Sequence, residues 1–356
     1  MTFHIDRERG AFSRRRVLHG GAALLLGVAG SRVSGASVAA ADTVSGTIAL
    51  DWYPNANHAG LYLVKERGYF AGAGLDLSLY TPSDPTTVLQ TVGAGRDLFG
   101  ISYQTDVLLA RAQGIPVVSI AALVQHPLLA LMSLKSKGIA RPKDLVGKTV
   151  GYPGIPSQQA FLATMLETDG AKLDDIELIN VDFNLIPAVI SGRVDAVMGA
   201  YWTHETILAE RKGYPVDVMR VERWGVPDYY ELVLVASEES VAKKPAVIAA
   251  ALGAIRHGYR DAAADPGAAL ATLAAASKEV DSEVERQGIA LLIPEWTDPA
   301  GNYGAQSADR WTAYGAWMKA RGLIPADLPV EAAYTSALLP GGAATPTAAG
   351  GLATPA

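Results

Sequence analysis

Cysteine is absent from the 356-residue chain, and charged residues make up only 19% of it, below the about 25% usual for soluble proteins. Without a thiol there is no disulfide, no thiolate nucleophile and no cysteine-bound metal. The formal charge of −6 disfavours nucleic acid and anionic lipid as partners, because both repel an acidic surface. No GxxxxGK[ST] motif is present, so the sequence offers no P-loop for a nucleotide.

The N-terminal segment has the features of an export signal. The arginines at 14–16 precede an apolar run over residues 17–30, which is shorter than the about 20 residues that a membrane span needs. The alanines at 39–41 supply small residues for cleavage. We therefore predict a twin-arginine signal over residues 1–41, recognised by the twin-arginine export machinery, and a protein that is periplasmic or otherwise exported.

Cleavage would change the composition of the mature protein. Residues 1–41 hold six arginines and two acidic residues, so the formal charge falls from −6 to −10 when they are removed. With no cysteine near the cleavage site, a lipid anchor is excluded and a free, soluble protein is expected. The remaining length exceeds one modest core, which predicts two lobes. Residues 340–356 are rich in Gly, Ala, Pro and Thr, which predicts a disordered tail.

Short apolar runs alternate with helical patterns, which favours parallel sheets covered by helices. The predicted strands are 47–52, 75–80, 98–102, 117–123, 129–133, 149–152, 177–181, 196–200 and 231–237. The predicted helices are 59–67, 85–94, 104–113, 155–168, 185–191, 203–211, 244–265, 266–276, 281–292 and 308–321. The fold class expected from this pattern is therefore α/β.

Residues 50–70 predict a small-molecule site. A strand ends in the aromatic pair Trp52 and Tyr53, the polar residues Asn55 and His58 follow, and a helix comes next. Open α/β sheets bind ligands at such carboxyl ends of strands. An ordinary pair of core aromatics before a polar turn is the alternative.

A similar pattern occurs twice in the chain. Over residues 92–100 and 189–199, a helix leads through a Gly-Arg turn and an acidic residue to a strand that contains glycine. Polar and aromatic residues follow each copy, at 102–104 and at 201–204. Two similar lobes would each present such a strand end to a shared cleft, which explains the repetition better than a chance match.

Several segments together resemble the SsuA/THI5-like class of periplasmic binding proteins, the solute receptors of ABC importers. The resemblance covers about residues 46–330 and rests on Asp51-Trp52-Tyr53-Pro54-Asn55, Lys65-Glu66-Arg67-Gly68-Tyr69-Phe70, Lys143-Asp144-Leu145-Val146-Gly147-Lys148 and Gly192-Arg193-Val194-Asp195-Ala196. Receptors for formylaminopyrimidine, a product of thiamine breakdown, are the most similar within the class. That similarity lies in Ser102-Tyr103-Gln104, Gly151-Tyr152-Pro153-Gly154, Tyr201-Trp202-Thr203-His204-Glu205 and Gly225-Val226-Pro227-Asp228-Tyr229-Tyr230-Glu231.

The resemblance implies a type II periplasmic binding protein, with two α/β lobes, a ligand cleft between them and two hinge crossings. The first lobe would comprise residues 42–133 and 235–339, and the second lobe residues 134–234. The crossings would lie near 132–135 and 231–236. Ligand contacts would stabilise the closed arrangement of the lobes.

The fungal thiamine pyrimidine synthases share the implied fold, so an enzyme is the alternative from another class. The resemblance to them would require a cysteine-rich iron-binding run and a catalytic lysine and histidine. The corresponding segments, Val226-Pro227-Asp228-Tyr229-Tyr230 and Tyr103-Gln104-Thr105-Asp106-Val107-Leu108-Leu109-Ala110, contain none of these residues. We therefore predict no enzymatic activity and no cofactor.

The candidate ligand-binding residues combine aromatic rings with hydrogen-bonding groups. Stacking on a flat heterocycle adds about 0.5–1.5 kcal/mol to area burial, and Trp52 and Trp202 are the main stacking candidates. Glu231 begins a returning strand and is the main candidate to accept from an aminopyrimidine. Interlobe packing and a salt bridge near the hinge are the alternatives. The full set is Asp51, Trp52, Tyr53, Asn55, His58, Tyr103, Tyr152, Trp202, His204, Tyr230 and Glu231.

Metal and anion sites are not favoured. His58 and His204 lack the spacing of zinc ligands, so we predict no metal. Residues 151–156 open a helix and could turn backbone N–H groups to an anion, but they include no lysine or arginine. A neutral or modestly polar ligand is therefore preferred.

The predicted function is that of an extracytoplasmic solute-binding protein of an ABC importer. Its ligand would be formylaminopyrimidine or hydroxymethylpyrimidine, captured for thiamine salvage and delivered to the importer permease. A receptor for another flat heterocycle such as riboflavin, or for an aliphatic sulfonate, is the alternative.

Overall fold

The computed structural model describes residues 43–340. The predicted signal over 1–41 lies outside these residues, and so does the predicted tail apart from Pro340. Ten strands form in the described part: β1 Val44–Ala49, β2 Leu75–Tyr80, β3 Phe99–Ser102, β4 Val117–Val124, β5 Leu129–Leu134, β6 Thr149–Tyr152, β7 Glu177–Asn180, β8 Ala196–Tyr201, β9 Val216–Arg220 and β10 Leu232–Ser237.

Twelve α-helices accompany the strands within residues 43–340. They are α1 Ala59–Glu66, α2 Tyr69–Gly72, α3 Val88–Gly93, α4 Gln104–Ala112, α5 Pro156–Thr168, α6 Leu185–Ile190, α7 Glu205–Arg211, α8 Glu238–Lys243, α9 Pro245–Ala264, α10 Pro266–Ala276, α11 Ser282–Leu292 and α12 Ala308–Ala320. None of the helices in this described part combines the length and the apolar character that a membrane crossing demands.

The strands form two five-stranded sheets. The first has the order β2-β1-β3-β10-β4 and the second the order β7-β6-β8-β5-β9. Parallel pairing joins β1 to β2 and β3, and β6 to β7 and β8, whereas β10 and β5 are antiparallel to both neighbours. The parallel pairing expected from the sequence is therefore present in both sheets, and each sheet also contains one strand that is antiparallel to its neighbours.

The chain passes between the sheets earlier than the sequence indicated. The first passage is over residues 125–128 and the second lies between β9 and β10. Residues 132–135, where the first crossing was expected, overlap β5, which pairs with β8 and β9 of the second sheet. The lobe boundary expected at 133 thus falls inside a strand, because residues 129–133 bond to the second sheet.

Strand β9 was not expected from the sequence. Its polar residues Asp217 and Arg220 obscure the apolar pattern. The strand is created by antiparallel pairing with β5 at the edge of the second sheet. Edge strands depend on such a partner more than on their own pattern.

Close packing of α1 against α9 positions the loop that follows β1. A Cβ at Gly60 would lie 2.5 Å from the Tyr259 ring, and a Cβ at Gly258 would lie 2.1 Å from Val64. The two glycines therefore permit an approach that any larger residue would prevent. Tyr259, buried in this contact, donates to the backbone oxygen of Asn57 at 2.6 Å, which fixes the turn at the start of α1.

Candidate functional site

Three neighbouring cavities lie where strands of the two sheets end. The central cavity of about 10 Å³ is lined by Asp51, Trp52, Tyr103, Gln158, Gly199, Tyr201 and Glu205. A cavity of about 290 Å³ shares Tyr103 with it, and a cavity of about 190 Å³ shares Trp52 and Glu205. The central space holds about one water molecule, which is too little for a small heterocycle.

A buried network fixes Asp51 at the end of β1. The Asn55 backbone N–H donates to His58 Nδ1 at 3.3 Å, which leaves Nε2 to carry the imidazole proton. Nε2 lies 2.9 Å from Asp51 Oδ1, and the Tyr103 hydroxyl donates to Oδ2 at 3.1 Å. Burial, and next the Asp51 charge, hold the pKa of Tyr103 well above its usual value. His58 is fully buried and orients Asp51 from behind.

Asn55 organises the loop itself. Its side-chain oxygen accepts from the Asn57 backbone N–H at 2.9 Å, and its amide donates to the Tyr53 oxygen at 3.1 Å. Asn55 is the N-cap of the short 3₁₀ helix Ala56–His58, which is a favoured role for asparagine. Its side chain is therefore engaged within the loop and is not among the residues that line the three cavities.

Trp52 follows β1 of the first sheet, and its ring contacts Phe183, which follows β7 of the second sheet. Its ring centroid lies 4.5 Å from that of Phe183 in an edge-on arrangement, and Tyr53 is also 4.5 Å from Phe183. Trp52 is partly buried and lines the central cavity, whereas Tyr53 is 43% exposed and lines the neighbouring one. Phe183 was not singled out from the sequence, because a lone aromatic between a strand and a helix carries no distinguishing pattern.

The second sheet contributes two polar side chains to the central cavity. Gln158 lies in the first turn of α5 and is 3% exposed, and its Oε1 has no hydrogen-bond partner among the described residues. Glu205 begins α7, and its Oε2 accepts from the Tyr201 backbone N–H at 2.8 Å. Neither was among the candidate residues. Their position at helix starts just after β6 and β8 was the available signal.

His204, which follows β8 of the second sheet, contacts Glu285 of α11. Its Nδ1 lies 3.2 Å from Glu285 Oε1, and its Nε2 lies 3.9 Å from Glu205 Oε1. Glu285 Oε2 also accepts from the Ala56 backbone N–H at 2.6 Å. Burial by itself lowers the pKa of His204, but the charges of Glu205 and Glu285 outweigh it and raise the pKa to about 9. His204 is thus a cation held between two carboxylates.

Glu231 lies at the second passage between the sheets. Its Oε2 accepts from the backbone N–H groups of Leu128 and Leu129 at 2.7 and 3.2 Å and from the Tyr229 hydroxyl at 2.8 Å. Its Oε1 accepts from the Tyr201 hydroxyl at 3.1 Å. Burial raises the pKa of Glu231 to about 7, against the lowering by these donors. The carboxylate of Glu231, at the second passage, thus accepts hydrogen bonds from residues at the first passage. Glu231 is not among the residues that line the central cavity.

Three predicted aromatic contacts lie away from the central cavity. Trp202 donates from Nε1 to the Pro127 oxygen at 3.2 Å, and its ring faces Arg220 at 4.5 Å. The hydroxyl of the buried Tyr230 accepts from the Ser307 backbone N–H at 2.7 Å. Tyr152 is partly exposed and packs against the larger hydrophobic core. None of these three residues lines the central cavity or either of its two neighbours.

The cavity is rich in hydrogen-bond acceptors. Asp51, Gln158 and Glu205 line a space whose other described lining residues are Trp52, Gly199 and two tyrosines, and none of the described lining residues is a lysine or an arginine. Within residues 43–340 no cluster of three or more His, Asp or Glu side chains has the arrangement of a metal site. Such a lining suits a flat ligand that carries N–H donors and does not compensate an anion.

Comparison with known proteins agrees with this architecture. The profile of a family described as NMT1/THI5 like matches residues 55–269. The alkanesulfonate-binding protein SsuA from Xanthomonas axonopodis pv. citri, solved with MOPS bound, superposes with a TM-score of 0.67 at 17% identity. That alignment covers 83% of this chain and 99% of the other, which shows the periplasmic binding protein fold.

Two curated relatives align over most of the chain. The formylaminopyrimidine-binding protein of Halalkalibacterium halodurans is 38% identical over 293 residues, which are 81% of this chain and 89% of the relative. The 4-amino-5-hydroxymethyl-2-methylpyrimidine phosphate synthase of Schizosaccharomyces pombe is 27% identical over 290 residues, 79% of this chain and 82% of the relative. The chain belongs to the NMT1/THI5-like family.

Proposed function

We propose that the protein is an exported solute-binding protein of an ABC importer, and that it captures a thiamine-related pyrimidine, formylaminopyrimidine or hydroxymethylpyrimidine, for thiamine salvage. The observation that carries this proposal is the acceptor-rich, aromatic lining of the central cavity between the two sheets. The relative at 38% identity, a formylaminopyrimidine-binding protein, supports the same class of ligand.

The lining suggests a role for each residue. Trp52 would cover one face of the ring, with Tyr103 and Tyr201 beside it, because all three line the cavity. Asp51 and Glu205 would accept from ligand N–H groups. Charge-assisted hydrogen bonds of this kind contribute about 1.5–3 kcal/mol each, enough to orient a small heterocycle.

Other predicted contacts take supporting roles in this proposal. Asn55 and His58 shape the loop and hold Asp51, since both are buried behind it. Glu231 holds the passages between the sheets, since its oxygens accept from the Leu128 and Leu129 backbone and from two tyrosines. The ligand-facing carboxylate of the second sheet is Glu205 rather than Glu231.

The alternatives fit the lining less well. A sulfonate would meet two carboxylates and no lysine or arginine in the central cavity, an arrangement that repels an anion. Riboflavin would need the neighbouring 290 Å³ cavity as well. A synthase activity lacks support, because the chain has no cysteine and residues 103–110 contain no lysine or histidine.

Ligand entry requires the sheets to separate. A ring cannot enter a space of about 10 Å³, so we expect an open form that closes over the ligand by hinge motion at the two passages. Residues 125–128 and Glu231 lie at these passages.

The test is isothermal titration of the purified protein with formylaminopyrimidine, hydroxymethylpyrimidine, riboflavin and taurine. Binding of at least one pyrimidine, with neither riboflavin nor taurine binding more tightly, is the expected result. Tight binding of taurine with no binding of either pyrimidine would refute the ligand class. Mass spectrometry of any small molecule released from denatured protein provides an independent identification.

Export is tested by cell fractionation. The wild-type protein should be cut near Ala41 and found outside the inner membrane, and replacement of the arginines at 14–16 by lysine should retain it inside. Recovery of uncut wild-type protein in the cytoplasm would contradict the export part of the proposal.

A further inference from the structure

Gln158 differs from every other polar side chain of the central cavity. Asp51 and Glu205 are carboxylates that only accept, and the hydroxyls of Tyr103 and Tyr201 are engaged with Asp51 and Glu231. Gln158 has a neutral amide that can donate and accept at adjacent atoms. It is 3% exposed, and its Oε1 has no partner within residues 43–340. A buried amide oxygen without a partner costs free energy that a ligand N–H would recover.

The second sheet leaves room for this amide at Gly199. A Cβ at Gly199 would lie 2.4 Å from Gln158 Oε1 and 3.1 Å from Nε2, so the amide rests on the face of the glycine where other residues carry a side chain. Gly199 also has a φ of +109°, which L-residues rarely adopt. Strand β8 and helix α5 thus place the amide against the Gly199 backbone at the cavity wall.

The position of Gln158 is also tied to the opposite sheet. The neighbouring Ser157 donates from its hydroxyl to Asp106 Oδ2 at 2.6 Å, and Asp106 lies in α4 of the first sheet's side. This bond joins the start of α5 to α4 across the cleft. We therefore expect the Gln158 amide to contact the ligand when α5 and α4 approach each other.

The chemistry of a side-chain amide matches one edge of an aminopyrimidine. An exocyclic amine donates beside a ring nitrogen that accepts, which is the pair of groups that Asn and Gln bind bidentately on adenine. A carboxylate can serve the amine but repels the lone pair of the ring nitrogen. Among the side chains that line the central cavity, Gln158 is the one whose amide complements both atoms.

We infer that Gln158 is a specificity-determining residue whose amide binds the amine and ring-nitrogen edge of the pyrimidine, while Gly199 makes the space for it. The inference rests on the proposed function and names the group that selects 4-aminopyrimidines over other flat rings. It distinguishes the amine-bearing ligand from a ring of the same shape without the amine.

The experiment is a cycle of two ligands and two proteins. Titration calorimetry compares 4-amino-5-hydroxymethyl-2-methylpyrimidine with its analogue that lacks the 4-amino group, on wild type and on Gln158→Met. Methionine keeps the length of the side chain and removes both hydrogen-bonding atoms. Gln159→Met is the matched control, because Gln159 is the next residue of α5 and is exposed.

Loss of the amine should weaken binding to wild type and to Gln159→Met by roughly tenfold to a hundredfold. In Gln158→Met, loss of the amine should weaken binding by less than about threefold, because the partner of the amine is gone. An equal loss in all three proteins would overturn the role of Gln158 while leaving the proposed function intact. Failure of wild type to bind either pyrimidine would overturn the proposed function itself.

A measurement on the wild-type protein covers the case in which Gln158→Met does not fold. The side-chain amide signals of ¹⁵N-glutamine-labelled protein report on Gln158 directly. Addition of the 4-aminopyrimidine should shift one glutamine side-chain pair strongly, and the amine-free analogue should shift it much less. Side-chain signals that stay unchanged under saturating 4-aminopyrimidine would contradict the inference.

Discussion

The two sides of the central cavity differ in how completely their polar groups are satisfied. On the first sheet's side, both oxygens of Asp51 already have partners in His58 and Tyr103. On the second sheet's side, the Gln158 oxygen has none among the described residues. Glu205 Oε1 lies 3.9 Å from His204 Nε2, beyond hydrogen-bonding distance. Under the proposed function, one side is preorganised by the protein, and a ligand would complete the other.

This difference separates two kinds of mutational effect. A change on the preorganised side leaves buried donors of the protein without an acceptor, so it should lower the stability of the free protein. A change on the second side removes a group that faces the cavity, so it should lower affinity with little effect on folding.

Asp51→Ala should have the largest effect. It leaves His58 Nε2–H and the Tyr103 hydroxyl buried without an acceptor, which should lower the free energy of unfolding by about 2–5 kcal/mol and abolish measurable ligand binding. Thermal and urea unfolding of the ligand-free protein measure the loss. Asp76→Ala, at an exposed position of β2, should stay within about 0.5 kcal/mol of wild type. An Asp51→Ala protein as stable as wild type would refute the preorganised network.

Glu205→Gln should weaken pyrimidine binding by about tenfold to a hundredfold, because a charge-assisted hydrogen bond becomes a neutral one. The unfolding free energy should change much less than in Asp51→Ala, since burial already raises the pKa of Glu205 and an amide oxygen can still accept from the Tyr201 backbone. Calorimetry and thermal unfolding give the two quantities. Glu210→Gln, exposed in the same helix, is the control, and unchanged affinity in Glu205→Gln would exclude the contact.

The His204 contact with Glu285 predicts a pH dependence of closure. Because the pKa of His204 is raised to about 9, the stabilisation is complete below about pH 6.5 and is lost as pH rises through about 9. Ligand affinity should therefore fall between pH 7.5 and 9.5. The other charged groups near this contact are Glu205, Asp281, Arg211 and Glu279.

His204→Gln should flatten this profile. The buried carboxyl of Glu231 has a pKa raised to about 7, so it also makes stability fall as pH rises. That fall is complete at about pH 7, below the window of about pH 7.5–9.5 in which affinity is compared. Calorimetry in buffers of different ionisation enthalpy should detect proton uptake on binding at pH 8 in wild type. An identical decline of affinity in both proteins above pH 7.5 would assign the effect to another group.

Ser157→Ala should have the smallest effect. It removes the hydroxyl that donates to Asp106 across the cleft, and one such hydrogen bond contributes about 0.5–1.5 kcal/mol. Affinity should fall roughly twofold to tenfold, through faster ligand release as the closed form is weakened. Stopped-flow kinetics measure release, with Ser78→Ala at an exposed position of β2 as the control. An unchanged release rate would place this contact outside the closing step.

Much of the fold could be predicted from local patterns. The strands 75–80 and 149–152 match β2 and β6 at both ends. In β2, Leu75, Leu77 and Leu79 alternate with other residues, and each of the two strands has a glycine shortly before it and a proline shortly after it. Strand β9 could not be predicted, because its stability depends on antiparallel pairing with β5. The placement of β5 in the second sheet is likewise a matter of long-range pairing.

Some residues of the candidate site could likewise be predicted from the sequence, and others could not. Asp51, Trp52 and Tyr103 follow strands of the first sheet and line the central cavity, as their place in the sequence suggested. Glu231 and Trp202 were the sharpest candidates, yet both lie at the passages between the sheets. An acidic residue at the start of a buried strand has the same local pattern whether its partner is a ligand or a backbone N–H. Their roles toward a ligand stay predictions.

The family, the α/β class and the segments whose ends meet at the cleft can be read from the sequence, because they depend on local periodicity and on motifs that are contiguous in the chain. Which carboxylate and which amide line the central cavity depends on how distant segments pack. Gln158, Gly199 and Glu205 come from three separate segments, and the unpaired state of the Gln158 oxygen is a property of packing. Hydrogen-bond satisfaction is settled by neighbours distant in sequence, and no local pattern encodes it.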